Sequence, residues 1–359
     1  MHAVRSDSAS ITDRASGTEE RLCPLCRTVM REAYSDIRAE ETGASFSVAR
    51  CPGCGLGRTC PHDFDMAPYY GASYYGNRHG ATSRLCVHRR LKLVKDRVGD
   101  VKGRTLLDFG CGDGAFLRAT RSSGFESFGV ERDPPAELRE DLRVVSGLDE
   151  LPSDARFDCV TLWHVLEHLD DPIGVLNTMR SKLKPDGVIV AAVPNFASLQ
   201  SRVTGSSWLH LDIPRHLNHF TRASLVKVFE SAGFQARDIS YGEIEYDVIG
   251  WSQSLLTRVL GGQNEFFKAV SGRPGSRKTP RKFFHLPVGL ALSILATFPA
   301  WGEPDRFGGH LDPDRSNPQE ISIPRCTGTR ESSLSCRRIT PKRPSCRRTR
   351  RLTVGSWTT

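Results

Sequence analysis

Between residues 104 and 250 the apolar positions fall into two kinds of run. Residues 104–109, 127–131, 157–163 and 188–193 are short and largely apolar, bounded by Gly, Pro and Asp, as buried strands are; 115–122, 172–183 and 222–233 repeat apolar side chains at helical spacing, with Leu225, Val228 and Phe229 on one side of the last. A Lys184-Pro185-Asp186-Gly187 turn precedes the fourth strand, which Pro194 stops. Strands alternating with helices predict an α/β domain over 104–250, built on a doubly wound, mostly parallel sheet covered on both faces. Outside it the pattern changes. Residues 1–20 are polar and predict disorder, 45–50 suit a strand, and 63–103 read as a linker and helical cover. Residues 251–301 read as a helical extension broken by Gly, Pro, Ser and Arg at 271–280, and 302–359 lose apolar periodicity and predict a disordered basic tail. The apolar run 286–301 falls short of the roughly 20 residues that span a bilayer, so no stable membrane insertion is expected.

The first strand runs through Leu106-Leu107-Asp108-Phe109 into Gly110-Cys111-Gly112-Asp113-Gly114, with glycines at alternate positions where strand turns into helix. Glycine allows the tight turn and lets a ligand approach the backbone without a Cβ in the way. Dehydrogenases and nucleotide binders share that device, and the acidic residues separate the possibilities. Glu131, at the end of the second strand, is placed to accept hydrogen bonds from both hydroxyls of an adenosine ribose. Asp108, before the first glycine, would repel a pyrophosphate and suits a ligand carrying an ammonium group.

This stretch resembles motif I of the class I S-adenosylmethionine-dependent methyltransferases, whose fold is Rossmann-like, and later pieces come in that family's order. Phe157-Asp158-Cys159-Val160 is similar to its fourth strand and Leu183-Lys184-Pro185-Asp186-Gly187 to its strand-five turn. Val165-Leu166-Glu167-His168-Leu169-Asp170-Asp171-Pro172 resembles the "LEH…DP" signature of the small-molecule branch, to which the ubiquinone-biosynthesis O-methyltransferases belong. The resemblance covers roughly residues 104–242. It implies that Asp108, Gly110 and Gly112 cradle the methionine part of S-adenosylmethionine, that Glu131 holds its ribose, and that Gly147 and Leu148 meet the adenine edge through their backbone. Trp163 and His164 would lie beside the sulfonium. The implied activity is methyl transfer to a small-molecule acceptor, a hydroxyl or carbon of a metabolite or sugar.

Methyl transfer needs an aligned nucleophile, exclusion of water and, for a hydroxyl acceptor, a group to take its proton. Histidine suits that last task. His168 belongs to the signature just quoted and His164 stands directly before it; His210, His216 and His219 come from 208–221, which is similar to the "PxHLxxFT" segment after strand five in relatives of the ubiquinone O-methyltransferases and would line the acceptor pocket. His216 is the first candidate base and His164 the second, each with ordinary packing as the alternative. Glu167 and His168 alone are too small a set to define a metal site.

Cys23-Pro24-Leu25-Cys26 and Cys51-Pro52-Gly53-Cys54 are two C-x2-C pairs separated by 24 residues. Four such thiolates suit tetrahedral zinc, so 21–62 predicts a zinc-ribbon-like module with a structural zinc, against the alternative of two unmetallated turns. The linker through Tyr69-Tyr70 and Tyr74-Tyr75 resembles those that join such ribbons to methyltransferase domains in bacterial surface-polysaccharide and natural-product proteins; its tyrosines either cover the cofactor cleft or pack in the core. Cys60, Cys86, Cys111 and Cys159 lack pair spacing and read as buried or incidental thiols.

The formal net charge of +9 invites a nucleic-acid reading, but 302–359 hold twelve Lys/Arg against six Asp/Glu, leaving about +3 for the other residues, too little for a basic groove. No nucleic-acid partner is expected. Thr161-Leu162-Trp163-His164 also stands where base N-methyltransferases carry an Asn/Asp-Pro-Pro-aromatic tetrad. A nucleic-acid-modifying zinc-ribbon protein and a non-catalytic cofactor-binding scaffold are the rival readings. Residues 1–20 lack the apolar core of a secretory signal, which predicts a cytoplasmic protein with reduced cysteines. The tail, with Cys326, Cys336 and Cys346 ten apart, reads as foreign to the fold, as an out-of-frame extension would. The family's closing antiparallel strand pair is expected near or beyond Trp301.

Overall fold

The computed structural model describes residues 21–70, 83–134, 136–235, 239–241 and 244–261, positions 264, 266, 267, 288 and 291, and the segments 321–324 and 353–357. Two sheets organise it. The first begins in the cysteine-rich segment, where β1 (Arg31–Arg38), β2 (Ser45–Arg50) and β3 (Gly57–Cys60) form an antiparallel meander. β1 has no apolar run to announce it. Its side chains are exposed or half-buried, and it forms by pairing with β2, whose Phe46, Val48 and Ala49 are buried.

The second sheet is wound by α1 (Ser83–Val98), β4 (Thr105–Phe109), α2 (Ala115–Ser122), β5 (Glu126–Val130), α3 (Ala136–Asp141), β6 (Arg143–Val145), β7 (Phe157–Trp163), α4 (Pro172–Lys182) and β8 (Leu183–Pro194). Its centre is parallel and ordered β6-β5-β4-β7-β8. Strands covered on both faces read as continuous apolar runs: all of β7 is buried, and Leu106, Leu107, Val160, Leu162, Ile189 and Val190 are fully so. Helix starts obey local chemistry. Pro172 opens α4 and the Asp171 carboxylate accepts the Gly174 N–H at 2.9 Å.

The chain continues through α5 (Leu199–Thr204), β9 (Asn218–His219), α6 (Arg222–Ser231), β10 (Ile239–Tyr241) and α7 (Ile244–Leu260). A capping box between Thr221 and Ser224 starts α6. β9 leaves the large sheet altogether and pairs antiparallel with β3, so the small sheet is ordered β1-β2-β3-β9. Two short strands, β11 (Ile321–Pro324) and β12 (Thr353–Trp357), are antiparallel to each other beside β8 and extend the large sheet in the order β8-β11-β12-β10.

Several elements differ from expectation. Residues 184–187 are no separate turn but the irregular start of β8, with a register shift against β7 between Phe157 and Cys159. The short α3 and β6, too brief for a periodic pattern, complete the sheet beyond β5. A domain boundary at 250 falls inside α7. Residues 1–20, the loop 271–280, Tyr74 and Tyr75, nearly all of 286–301 and the rest of 302–359 lie outside the described residues. Among the described residues no helix is long and apolar enough to cross a membrane.

Candidate active site

The strand order reverses between β4 and β7, and open α/β sheets bind ligands beyond the carboxyl ends of the strands at such a switch point. The glycine-rich turn stands there. Gly110 has φ +77° and a Cβ on it would run into Val165, whereas Gly112, at φ +57°, faces open space with nothing within 4 Å of a would-be Cβ. Packing therefore demands the first glycine, and the second leaves room for a ligand against the backbone. Val130 O at the end of β5 accepts the Gly110 and Cys111 N–H groups at 2.7 and 3.1 Å. The next residue, Glu131, folds back so that Oε2 accepts the Gly112 N–H at 2.7 Å.

Asp108 is only 2% exposed and accepts the hydroxyl of Thr161, on β7, at 2.7 Å. Burial pushes its carboxyl up to about 7, against the opposing pull of the Thr161 hydrogen bond and the Arg90 charge. Gly147 and Leu148 lie in the loop after β6. Trp163 ends β7, with Phe116 of α2 edge-on at 5.5 Å between centroids and the Arg90 guanidinium 5.0 Å from the ring centroid. Among the described residues its buried indole N–H has no hydrogen-bond partner. Arg90 is absent from the sequence reading. The buried residues of α1 are Cys86, Arg90 and Val94, four apart, so this arginine occupies the core-facing stripe of a helix whose other faces also carry Lys and Arg.

Beyond β7 the acceptor-side candidates converge. His164 has a left-handed backbone, φ +57°, which costs a residue with a Cβ of order 1–2 kcal/mol. Its Nδ1 lies 3.3 Å from Glu167 Oε1, and His216 Nε2 lies 4.0 Å from the same oxygen. Both candidate bases thus face one buried carboxylate. His216 Nδ1 donates to His210 O at 2.9 Å, which leaves Nε2 as the proton-accepting nitrogen. Burial lowers His216 from its ordinary range although Asp212 works the other way, so its ring is neutral at pH 7. His168 stacks edge-on to His216 at 4.6 Å. The donor atoms of Glu167, His168 and His216 lie within 4.8 Å of one another, compact enough to share a proton or a cation.

Tyr70 bridges the two halves: its hydroxyl is 3.2 Å from His168 Nδ1, and Arg132, next to Glu131, sits 5.1 Å from its ring centroid. Its neighbour Tyr69 instead packs on Phe46 and Phe64. His210 and His219 are pushed down to about 3, chiefly by burial, and serve packing; His219 Nε2 is 3.0 Å from Thr59 Oγ1.

The four cysteines Cys23, Cys26, Cys51 and Cys54 meet at one point, all sulfurs within 4.8 Å of one another, with Cys23–Cys54 at 3.5 Å and Cys26–Cys51 at 3.3 Å. None is in a disulfide. A zinc ion with four bonds of about 2.3 Å spaces its sulfurs about 3.8 Å apart, so the set fits that ion. Hydrogen bonding with the Thr28 side chain and backbone brings the Cys26 thiol down to about 6, while burial pushes Cys23 and Cys54 up.

Residues 78–239 match the methyltransferase-domain family. That span begins upstream of residue 104 and takes in α1 with Arg90. The ubiquinone biosynthesis O-methyltransferase of Aeromonas salmonicida is 25% identical over 171 residues, covering 42% of this chain and 71% of that protein. The protein of the same name from Cereibacter sphaeroides is 26% identical over 176 residues, covering 44% and 70%. Among solved structures, a SAM-dependent methyltransferase from Archaeoglobus fulgidus is 28% identical, with a TM-score of 0.37 over 45% of this chain and 73% of that one.

Proposed function

From the match of residues 78–239 to the methyltransferase-domain family, we propose that the chain is an S-adenosylmethionine-dependent methyltransferase acting on a hydroxyl or carbon of a small molecule, with His216 as the acceptor-side base and a structural zinc in the cysteine module. The observation that carries the reading is the pairing across the switch point: a glycine turn with two carboxylates ends β4 and β5, while His164, directly after β7, and His216, just before β9, share Glu167. The ubiquinone-biosynthesis relatives support a small-molecule acceptor.

When bound, S-adenosylmethionine supplies an electrophilic methyl on a sulfonium centre. Glu131, which accepts the Gly112 N–H, would hold the ribose hydroxyls, and Gly147 and Leu148 would border the adenine. Asp108, with the backbone of Gly110 and Gly112, meets the ammonium of the methionine, and Arg90 meets its carboxylate. Trp163 offers its indole N–H to the same end of the ligand and excludes water. On the far side, His216 Nε2 takes the proton of an acceptor hydroxyl as it attacks, and Glu167 stabilises the imidazolium that results. His164 is the second candidate for that proton. Tyr70 covers the join between the two halves.

Calorimetric titration with S-adenosylmethionine tests the cofactor half. Micromolar binding by the wild type that is lost in both Asp108→Ala and Glu131→Ala is the expected result, each hydrogen bond to a charged group contributing about 1.5–3 kcal/mol. A folded wild-type protein that binds nothing would sink the reading. Turnover against panels of phenols, quinol precursors and sugars then separates an enzyme from a binding scaffold.

A further inference from the structure

The second cysteine pair is built into the segment that carries the acceptor histidine. Directly after Cys54, Gly55 lies against Thr221; a Cβ there would stand 2.8 Å from Thr221 Oγ1, which itself donates to Cys54 O at 3.3 Å. Two residues on, Gly57 packs so tightly that a Cβ would meet Phe196 Cε1 at 2.8 Å and His219 Cβ at 2.9 Å. Gly57 and Arg58 pair with His219 and Asn218 in the β3–β9 ladder. Thr59, fully buried, completes the junction: its N–H donates to Leu217 O at 3.1 Å and its hydroxyl to His216 O at 2.6 Å. From Cys54 to Thr59, backbone or side-chain contacts therefore fasten the knuckle to residues 216–221.

That arrangement is more than a module tethered beside an enzyme needs. The small sheet takes its fourth strand from the methyltransferase domain, and Thr59 of β3 holds the carbonyl of His216 itself. The Cys51–Cys54 knuckle is the turn of the β2–β3 hairpin, closed by the Cys51 N–H on Leu56 O at 2.8 Å and the Gly55 N–H on Cys51 O at 2.9 Å, and an ion on its sulfurs would tie that turn to the Cys23–Cys26 turn as well. What fixes Cys51 and Cys54 bears on the start of β3, and β3 holds the His216 carbonyl on one side while the Leu217 N–H donates to Glu167 O at 2.8 Å on the other.

We propose that the ion held by the four cysteines orders the acceptor side of the active site, with Thr59 as the positioning residue that transmits its placement to His216. This rests on the reading of His216 as acceptor-side base and of the cysteines as zinc ligands. Thr59 touches no reactant and acts only through the backbone of 216–219.

The test uses the full chain, its zinc content measured per protein, in four states: wild type, Thr59→Val, Thr59→Ser, and wild type stripped with a chelator and then refilled with zinc chloride. Two readouts are followed: hydrogen exchange in peptides covering 214–221 against those covering β4 and β7, and the histidine ring signals in heteronuclear NMR, with His216 assigned from His216→Gln. Thr59→Val and the stripped protein are each expected to raise exchange in 214–221 by tenfold or more and to move the His216 signals. β4 and β7 should stay protected, and Thr59→Ser and zinc refilling should restore the wild-type pattern. Unchanged exchange in Thr59→Val overturns the proposal, as does a stripped protein still protected at 214–221. Exchange rising equally in β4 and β7 overturns it too, because the ion would then serve global stability only. The S-adenosylmethionine affinity, measured alongside, should stay within twofold in all states; its absence in the wild type would count against the cofactor reading while leaving the exchange comparison to decide this one.

Discussion

Asp108 is the residue whose environment says most about how the proposed cofactor site would work. Its carboxyl, pushed up to about 7 by burial, is half protonated near neutrality, yet a cationic ligand wants it ionised. Binding below that value must expel a proton. Apparent affinity for S-adenosylmethionine should therefore rise with pH, by up to about tenfold per unit below pH 7, and level off near pH 8. Calorimetry in buffers of different ionisation enthalpy should register proton release at pH 6.5, and Asp108→Asn should bind weakly with no pH dependence. The stability sign is opposite: because the folded value lies above the ordinary 3.8, this group makes the unliganded protein less stable as pH rises from about 4 to 7. On the acceptor side, His216→Gln should lower kcat by about 10²–10⁴ while leaving the cofactor Kd within twofold; an equal loss of cofactor binding would make His216 a packing residue. The strand–turn–helix that brings Asp108, Glu131 and the glycines together was legible in the sequence because an apolar run passing into glycines at alternate positions marks such a turn. Arg90 was not, since nothing local tells which Lys or Arg of a basic helix faces inward. The sharing of Glu167 by His164 and His216 depends on a contact 49 residues apart in sequence, which no motif records.

At the level of elements, the amino ends of β4, β7 and β8 are pinned by one side chain. Asp158 accepts Arg104 Nη1 at 2.6 Å, the Thr105 N–H at 2.9 Å and Lys184 Nζ at 2.6 Å. Burial works against its ionisation, but these donors, Lys184 foremost, hold its carboxyl down at about 2. The folded value lies below the unfolded 3.8, so the stabilisation is complete above about pH 4 and lost as pH falls through 2. Chemical denaturation should show Asp158→Ala about 2–3 kcal/mol less stable than wild type at pH 6, and the gap should close towards pH 2. A gap that persists unchanged at pH 2 would assign the loss to packing. Such pins explain why β7 was readable end to end while β8 was not. β7 is apolar on both faces, whereas β8 begins with Lys184-Pro185-Asp186-Gly187, which looks like a turn until Lys184 is seen reaching Asp158. α3, β6 and β9 have too few residues for periodicity to speak, and they form because neighbouring strands need covering or pairing.

For the molecule as a whole, composition and cysteine spacing divide the chain into a ribbon-like module at 21–62 and a domain at 104–250, and a backbone ladder joins the two. β9 belongs by sequence to the segment matched to the methyltransferase-domain family and by pairing to the sheet of the cysteine-rich segment. The apolar side chains follow the same division: Val48 of β2 packs with Phe196, Trp208 and Leu211, and Cys51 and Leu56 belong to the cluster that also holds Leu106, Val160 and Phe220. A chain beginning at residue 63 would lose the β3–β9 pairing and uncover Phe196, which is 3% exposed, together with Phe220 at 1%. Each large apolar side chain returned to water costs about 1.5–3 kcal/mol, and a domain has about 5–15 kcal/mol in total. The shortened chain should therefore melt without a cooperative transition, or at least 10 °C below the full chain, in differential scanning calorimetry. A shortened chain that melts at the wild-type temperature would mean that the ribbon is an appendage and that the ladder between β3 and β9 contributes nothing the methyltransferase domain needs.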